Sequence, residues 1–324
     1  MIAPLAKLMD WSAIQVMTLM MPAIEHEPRL EEAVQFLNRP DFVPEDSQPA
    51  HVEFKDSLYF YFPTPRPSKF PENNVVHGRL YRCGEQWRQR PAIILLPGYN
   101  DSASYQFRFP LLARRCNRAG FNVATLVPPY HFQRCPRQRA AFDGGDYLFW
   151  AERAAQAIAE IRALTGWLLR EGCPAVALWG FSLGADFAGM AVCRDARLAA
   201  VVMASPAVPM RPCVEQLAVR PRIRRRSQTI RGLCESLNLT AMNLMTTQPA
   251  IPRENILLIE GVHDLICLKD DIEALWQSWG QPDIWRLPHG HVGICCGGVP
   301  GLPGRIIDWL TPRLDDATVR TQSE

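Results

Sequence analysis

Val176-Ala-Leu-Trp-Gly-Phe-Ser-Leu-Gly-Ala-Asp-Phe-Ala-Gly-Met-Ala-Val192 reads as a strand, a sharp turn and a helix. Val176 to Trp179 form a short apolar run without helical spacing, whereas Phe187, Met190 and Ala191 recur at the spacing of one helix face. Between them lies Gly180-Phe181-Ser182-Leu183-Gly184, a G-x-S-x-G sequence. Glycines two residues before and after the serine leave room for a turn so tight that the serine is strained and its hydroxyl stands clear of the sheet edge. A strand-to-helix turn with a merely capping serine has the same local pattern, so the rest of the chain has to decide between the two.

Working outward, strands and helices alternate from residue 91. Ala92 to Leu96 is a continuous apolar run, as a strand covered on both faces requires. Leu111 to Arg118 reads as a helix, Phe121 to Val127 as a strand, and Tyr147 to Arg170 as a long helix. Leu198 to Ala204, Ile256 to Ile259 and Ile284 to Leu287 are further strands, with helices at Lys269 to Trp279 and near Ile306 to Leu310. Such alternation implies right-handed βαβ crossovers and a mostly parallel sheet with helices on both faces, an α/β fold. Upstream, His51 to Phe62 and a run near Asn74 to Arg82 read as antiparallel edge strands. Residues 1–50 read as an N-terminal helical extension and linker. Its first segment docks as an amphipathic helix, interrupted by Lys7, Asp10 and Gln15 and too polar to span a membrane. Residues 51–324 form the main domain. About 205–252 the alternation breaks in a helical insertion, and beyond Pro312 the polar tail reads as frayed.

A serine hydroxyl needs a base to take its proton and a carboxylate to hold that base. After the strand Ile256 to Ile259 comes Glu260-Gly-Val-His-Asp264, and after Ile284 to Leu287 comes Pro288-His-Gly-His291. Loops at the carboxyl ends of parallel strands open on one side of the sheet, where ligands bind in such folds. Ser182, Asp264 and His291 therefore converge from three strand ends. Asp270 and Asp271 are the reserve carboxylates, and His289 and His263 the neighbouring histidines. Pro129-Tyr-His131, after the strand ending at Val127, faces the same side and makes His131 and Arg134 candidate substrate contacts; Asn100 joins them from the loop after Leu96.

Gly180 to Gly184, Leu258-Ile-Glu-Gly-Val-His-Asp264, Gly290-His291 and Leu95-Leu-Pro-Gly-Tyr-Asn-Asp-Ser102 together resemble the α/β-hydrolase superfamily of serine hydrolases, most of all its abhydrolase-domain proteins. The resemblance covers roughly residues 90–312 and implies the α/β-hydrolase fold, with the insertion at 205–252 as a cap. It implies a Ser182, Asp264, His291 triad and an oxyanion hole formed by the backbone amides of Leu183 and Tyr99. One departure stands out: the familiar His-Gly ahead of the oxyanion loop is Pro97-Gly98 here.

The implied activity is cleavage of a carboxylic ester through an acyl-serine intermediate, on a small-molecule or lipid ester. Thioester cleavage or acyl transfer uses the same parts, and a non-catalytic binding protein of the same fold is the alternative class. The insertion combines apolar residues with Arg220, Arg222, Arg224, Arg225, Arg226 and Arg231, which suits an acyl chain and weak contact with a membrane surface. Without interleaved aromatics that run is no nucleic-acid site, and a net charge of +2 gives no general attraction to polyanions. With 48% hydrophobic and 21% charged residues the chain is not a disordered one. The ten cysteines show no C-x-x-C pair and no zinc spacing, so no metal or cofactor is expected, and reduced thiols point to the cytoplasm. Nothing in the sequence sets an oligomeric state.

Overall fold

The computed structural model describes residues 3–20, 30–39, 42, 49–136, 147–208 and 243–321. Nine strands make one sheet in the order β1-β2-β3-β5-β4-β6-β7-β8-β9. The edge strands β1 (Glu53–Phe54), β2 (Tyr59–Pro63) and β3 (Val75–Tyr81) are antiparallel, and β3 runs antiparallel to β5 (Asn122–Leu126). From β5 through β4 (Ala92–Leu96), β6 (Val176–Phe181), β7 (Ala200–Ala204), β8 (Ile256–Gly261) and β9 (Asp283–Leu287) every neighbouring pair is parallel. The chain has an α/β-hydrolase fold.

Strand residues alternate between two apolar layers, because successive side chains point to opposite faces. Ile94, Leu96, Leu178, Val201, Met203 and Leu258 face α2 (Leu30–Leu37), α4 (Tyr147–Arg170), α5 (Leu183–Val192) and α6 (Lys269–Ser278). Ile93, Leu95, Val123, Trp179, Val202 and Ile259 face α3 (Phe109–Arg118) and α8 (Leu302–Thr321). The short α7 (His291–Cys295) lies just after β9, and α1 (Ala3–Met20) packs against it.

Three expectations change. The single strand over His51 to Phe62 is split, because the Asp56 carboxylate accepts the amides of Leu58 and Tyr59 and turns the chain between β1 and β2. The tail past Pro312 is helical: α8 carries Pro312 inside it. A proline there loses one helical bond and costs about 3 kcal/mol, but Leu314, fully buried, and Ala317 bind the last turns to the sheet. Arg134 is no surface contact. Its guanidinium is fully buried and holds Glu160 with two bonds of 2.6 and 2.7 Å, while also donating to the carbonyls of Asn73 and Val127. Thr64 donates to the same Glu160 carboxylate, so the group ties β2, the loop after β5 and α4 together. Removing one partner of such a buried pair leaves an uncompensated charge, so Glu160→Ala is expected to lose about 3–5 kcal/mol, read as a lower urea midpoint; a loss under about 1 kcal/mol would be the value of a surface pair.

The cap expected over 205–252 falls largely on 209–242, outside the described residues, as does the arginine run. At its near end the Ala207 amide donates to the buried Asp186 of α5. At its far end Trp279 donates its indole N–H to the carbonyls of Leu244 and Thr247.

Candidate active site

At the end of β6 Ser182 adopts φ 51° and ψ −123° and opens α5. Strain of this kind persists only where the surroundings enforce it. Here Ser182 donates its amide to Ala204 and accepts the amides of Ala185 and Asp186 at its carbonyl, which locks the turn. A Cβ on Gly180 would land on the Gly184 carbonyl, and one on Gly184 would land on that of Leu96, so both flanking glycines are required by close backbone approach.

The three residues expected at the strand ends meet. The Ser182 hydroxyl lies 3.0 Å from His291 Nε2, and His291 Nδ1 lies 3.0 Å from Asp264 Oδ2. Asp264 lies ahead of α6, whose N-terminal boundary residue is Leu268. Its second oxygen accepts the amides of Ile266 and Cys267, both at 2.7 Å, which fixes the carboxylate plane toward the imidazole. The reserve carboxylates Asp270 and Asp271 lie in the first turn of α6. His289 sits in the β9 loop with its Nδ1 unpartnered, and its backbone carbonyl accepts the His263 amide, so the two histidine loops are held together through main chain.

Burial alone would hold the His291 imidazolium low, but the acidic groups around it, Cys295, Asp264 and Cys267, outweigh that and raise its pKa well above 6.5. Asp264, Cys267 and His291 are the one group of metal-ligand type found among the described residues, with atoms within 4.8 Å of one another. Two of the three are already hydrogen-bonded to each other, and burial pushes the Cys267 thiol well above its ordinary value. These residues suit a thiol filling space beside a hydrogen-bonded histidine and carboxylate, rather than a metal centre. The Asp186 carboxyl, buried in the first turn of α5, is pushed up to about 8 by burial.

The amides of Leu183 and Tyr99 donate to no acceptor among the described residues. Leu183 is the first residue of α5, where the helix dipole is positive. The loop carrying Tyr99 passes close to the serine, since a Cβ on Gly98 would stand 3.4 Å from that of Ser182. Asn100 is exposed in the same loop at φ 51°, a conformation that asparagine tolerates and the bend requires. His131 is buried behind Tyr99, with ring centroids 5.7 Å apart. It bonds the Pro129 carbonyl through Nδ1 and meets Arg153 at Nε2, and burial beside Arg153 lowers its pKa to about 3. It is a neutral support for the Tyr99 ring.

Sequence reasoning missed Asp10. Fully buried on α1, it accepts the amides of Leu265 and His291 on Oδ2 at 3.0 and 2.8 Å, and that of Val292 on Oδ1 at 3.0 Å. The residue that looked like a break in an apolar helix face is the one that reaches the site.

Among the described residues no helix is long and apolar enough to cross a membrane. The fold is similar to that of the Pyrococcus furiosus esterase Pf2001, with a TM-score of 0.53 and 17% identity over 81% of this chain and 93% of that one. It is likewise similar to acetyl xylan esterase 1 from Thermoanaerobacterium, with a TM-score of 0.55 and 14% identity over 89% and 94% of the two chains. At such identities the likeness concerns the fold alone. An uncharacterized protein of Mycobacterium tuberculosis is 29% identical over 182 residues, 54% of this chain and 43% of that protein. The chain thus spans less than half the length of that curated relative. Residues 38–212, more than half of the chain, match the family described as alpha/beta hydrolase domain containing 18, and the chain belongs to that family.

Proposed function

We propose that the chain is a serine hydrolase that cleaves a carboxylic ester through an acyl-serine intermediate. The observation that carries this reading is the unbroken row Ser182 Oγ, His291 Nε2, His291 Nδ1, Asp264 Oδ2, with 3.0 Å at each hydrogen bond. Ser182 Oγ attacks the acyl carbon as its proton passes to His291 Nε2. The carbonyl oxygen becomes an oxyanion, which the free amides of Leu183 and Tyr99 receive. The C–O bond to the alcohol then breaks, the alcohol leaving with the proton from His291. Water repeats the sequence on the acyl-serine, releasing the acid and restoring Ser182. Asp264 holds Nδ1–H throughout, so the lone pair of Nε2 faces the serine.

The experiment is labelling of the protein by a fluorophosphonate, followed by a chain-length series of p-nitrophenyl esters with and without anionic vesicles. Stoichiometric labelling and ester turnover are expected; a folded protein that neither labels nor turns over any ester would overturn the reading. Octanoyl preferred over acetyl, with vesicle binding at low salt, would assign a lipid ester. Acetyl preferred, without binding, would assign a small one.

The pH dependence has a definite sign. His291 acts as a base only when neutral, and its surroundings raise its pKa above 6.5. The acid limb of kcat/KM is therefore expected to lie above pH 6.5, with about a tenfold loss per unit below it. A limb at or below 6.5 would mean that burial, rather than the acidic groups around it, decides the His291 pKa in the free enzyme.

A further inference from the structure

We infer that Asp10 is a positioning residue for the active site: a carboxylate on the N-terminal helix that sets the acid loop and the base loop at their working separation. The inference rests on the proposed Ser182, His291, Asp264 machinery.

The three amides that Asp10 binds are not scattered. Leu265 directly follows Asp264, and the other two belong to His291 itself and to Val292. One oxygen spans both loops, since Oδ2 takes Leu265 on one side and His291 on the other. The carboxylate stands 255 residues from the first partner and 281 from the second. Gly290 is shaped to it, because a Cβ there would fall 2.6 Å from Asp10 Oδ2. The glycine before the base is thus explained by the carboxylate packed upon it.

The way α1 sits argues that the carboxylate is the purpose of the docking. Ala6, Asp10 and Ile14 are buried, while Leu5, Leu8, Trp11 and Val16 remain half exposed. A helix held only by apolar burial would turn its leucines and tryptophan inward. This one turns inward the face that carries the acid. Removing a group that holds backbone by charge-assisted bonds loosens what it holds, and a displacement of about 1 Å at a reacting group costs on the order of 100-fold in rate.

The test uses the full chain with Asp10→Ala, Asp10→Asn and Gly290→Ala, and Leu8→Ala as a control on the exposed face of the same helix. Three readings are taken: kcat and KM for an ester, fluorophosphonate labelling rate, and the downfield proton resonance of the His291 Nδ1–H···Asp264 bond. Asp10→Ala is expected to lower kcat and labelling about 10- to 100-fold with KM within about twofold, and to broaden or remove the downfield resonance. Asp10→Asn, which keeps one accepting oxygen but sets an NH₂ against a donor amide, should fall between wild type and alanine. Gly290→Ala displaces the carboxylate without removing it and should match Asp10→Ala, so the inference is tested even if one variant does not fold. Leu8→Ala should leave all three unchanged. Folded Asp10 and Gly290 variants with wild-type kcat and resonance would overturn the inference. Should wild type itself neither label nor turn over, the proposed function fails, while the resonance still reports whether Asp10 holds the two loops.

Discussion

Ser182→Ala is expected to abolish fluorophosphonate labelling and to lower ester turnover by about 10⁴- to 10⁶-fold, with cooperative unfolding retained. The effect is expected to be large because, in the proposed mechanism, the hydroxyl is the one atom of the row that forms a bond to substrate, and the base and the free amides act only through it. Folding is expected to survive, because the turn is fixed by main chain: the Ser182 amide bonds Ala204, and its carbonyl accepts from Ala185 and Asp186 whatever the side chain. Binding is retained as well, so KM should change little. Labelling at full strength in the alanine variant would show that another nucleophile does the work.

Asp264→Asn is expected to lower turnover by about 10⁴-fold, the loss typical of this exchange where an aspartate orients a catalytic histidine. The asparagine oxygen can still accept the amides of Ile266 and Cys267, so the loop keeps its shape. Its NH₂ then faces His291 Nδ1 and can only donate, which forces the imidazole proton onto Nε2. A protonated Nε2 has no lone pair for the Ser182 hydroxyl. The acid limb should move to lower pH at the same time, because Asp264 is one of the groups that raise the His291 pKa. Near wild-type turnover in Asp264→Asn, with Asp270→Asn or Asp271→Asn inactive, would relocate the carboxylate to α6.

The residues that were legible in the sequence are those whose signal is local. A glycine on either side of Ser182 marks a turn that only close backbone approach explains, and Asp264 and His291 each follow a short apolar strand. Placing three strand ends on one side of a parallel sheet needs no knowledge of distant contacts. Asp10, Arg134 and the last turns of α8 were not legible for the opposite reason. A carboxylate in an apolar helix face reads as an interruption until its partners, more than 250 residues away, are known. Arg134 stands in a cleft-side loop by sequence, yet the Glu160 it binds lies on a helix one element later. Pro312 carries a strong local stop signal, and the burial of Leu314 overrides it. The split of β1 from β2 was within reach, since Asp56-Ser57 is a turn pair set between Val52-Glu-Phe-Lys55 and the aromatic run Tyr59-Phe-Tyr-Phe62.

The span between Asp10 and His291 has a consequence for synthesis. A ribosome releases residue 10 well before any strand of the parallel sheet, and the three amides that it binds come 255 to 282 residues later. Closing so long a loop costs little more than closing a shorter one, about 0.6 kcal/mol per doubling, so the delay is one of time rather than of free energy. While the 109 residues that follow Ser182 are made, the emerging sheet carries the serine without His291. Under the proposed mechanism the nascent chain lacks its base until helix α7 has emerged, and reaches its full rate only once the first helix has folded back upon it.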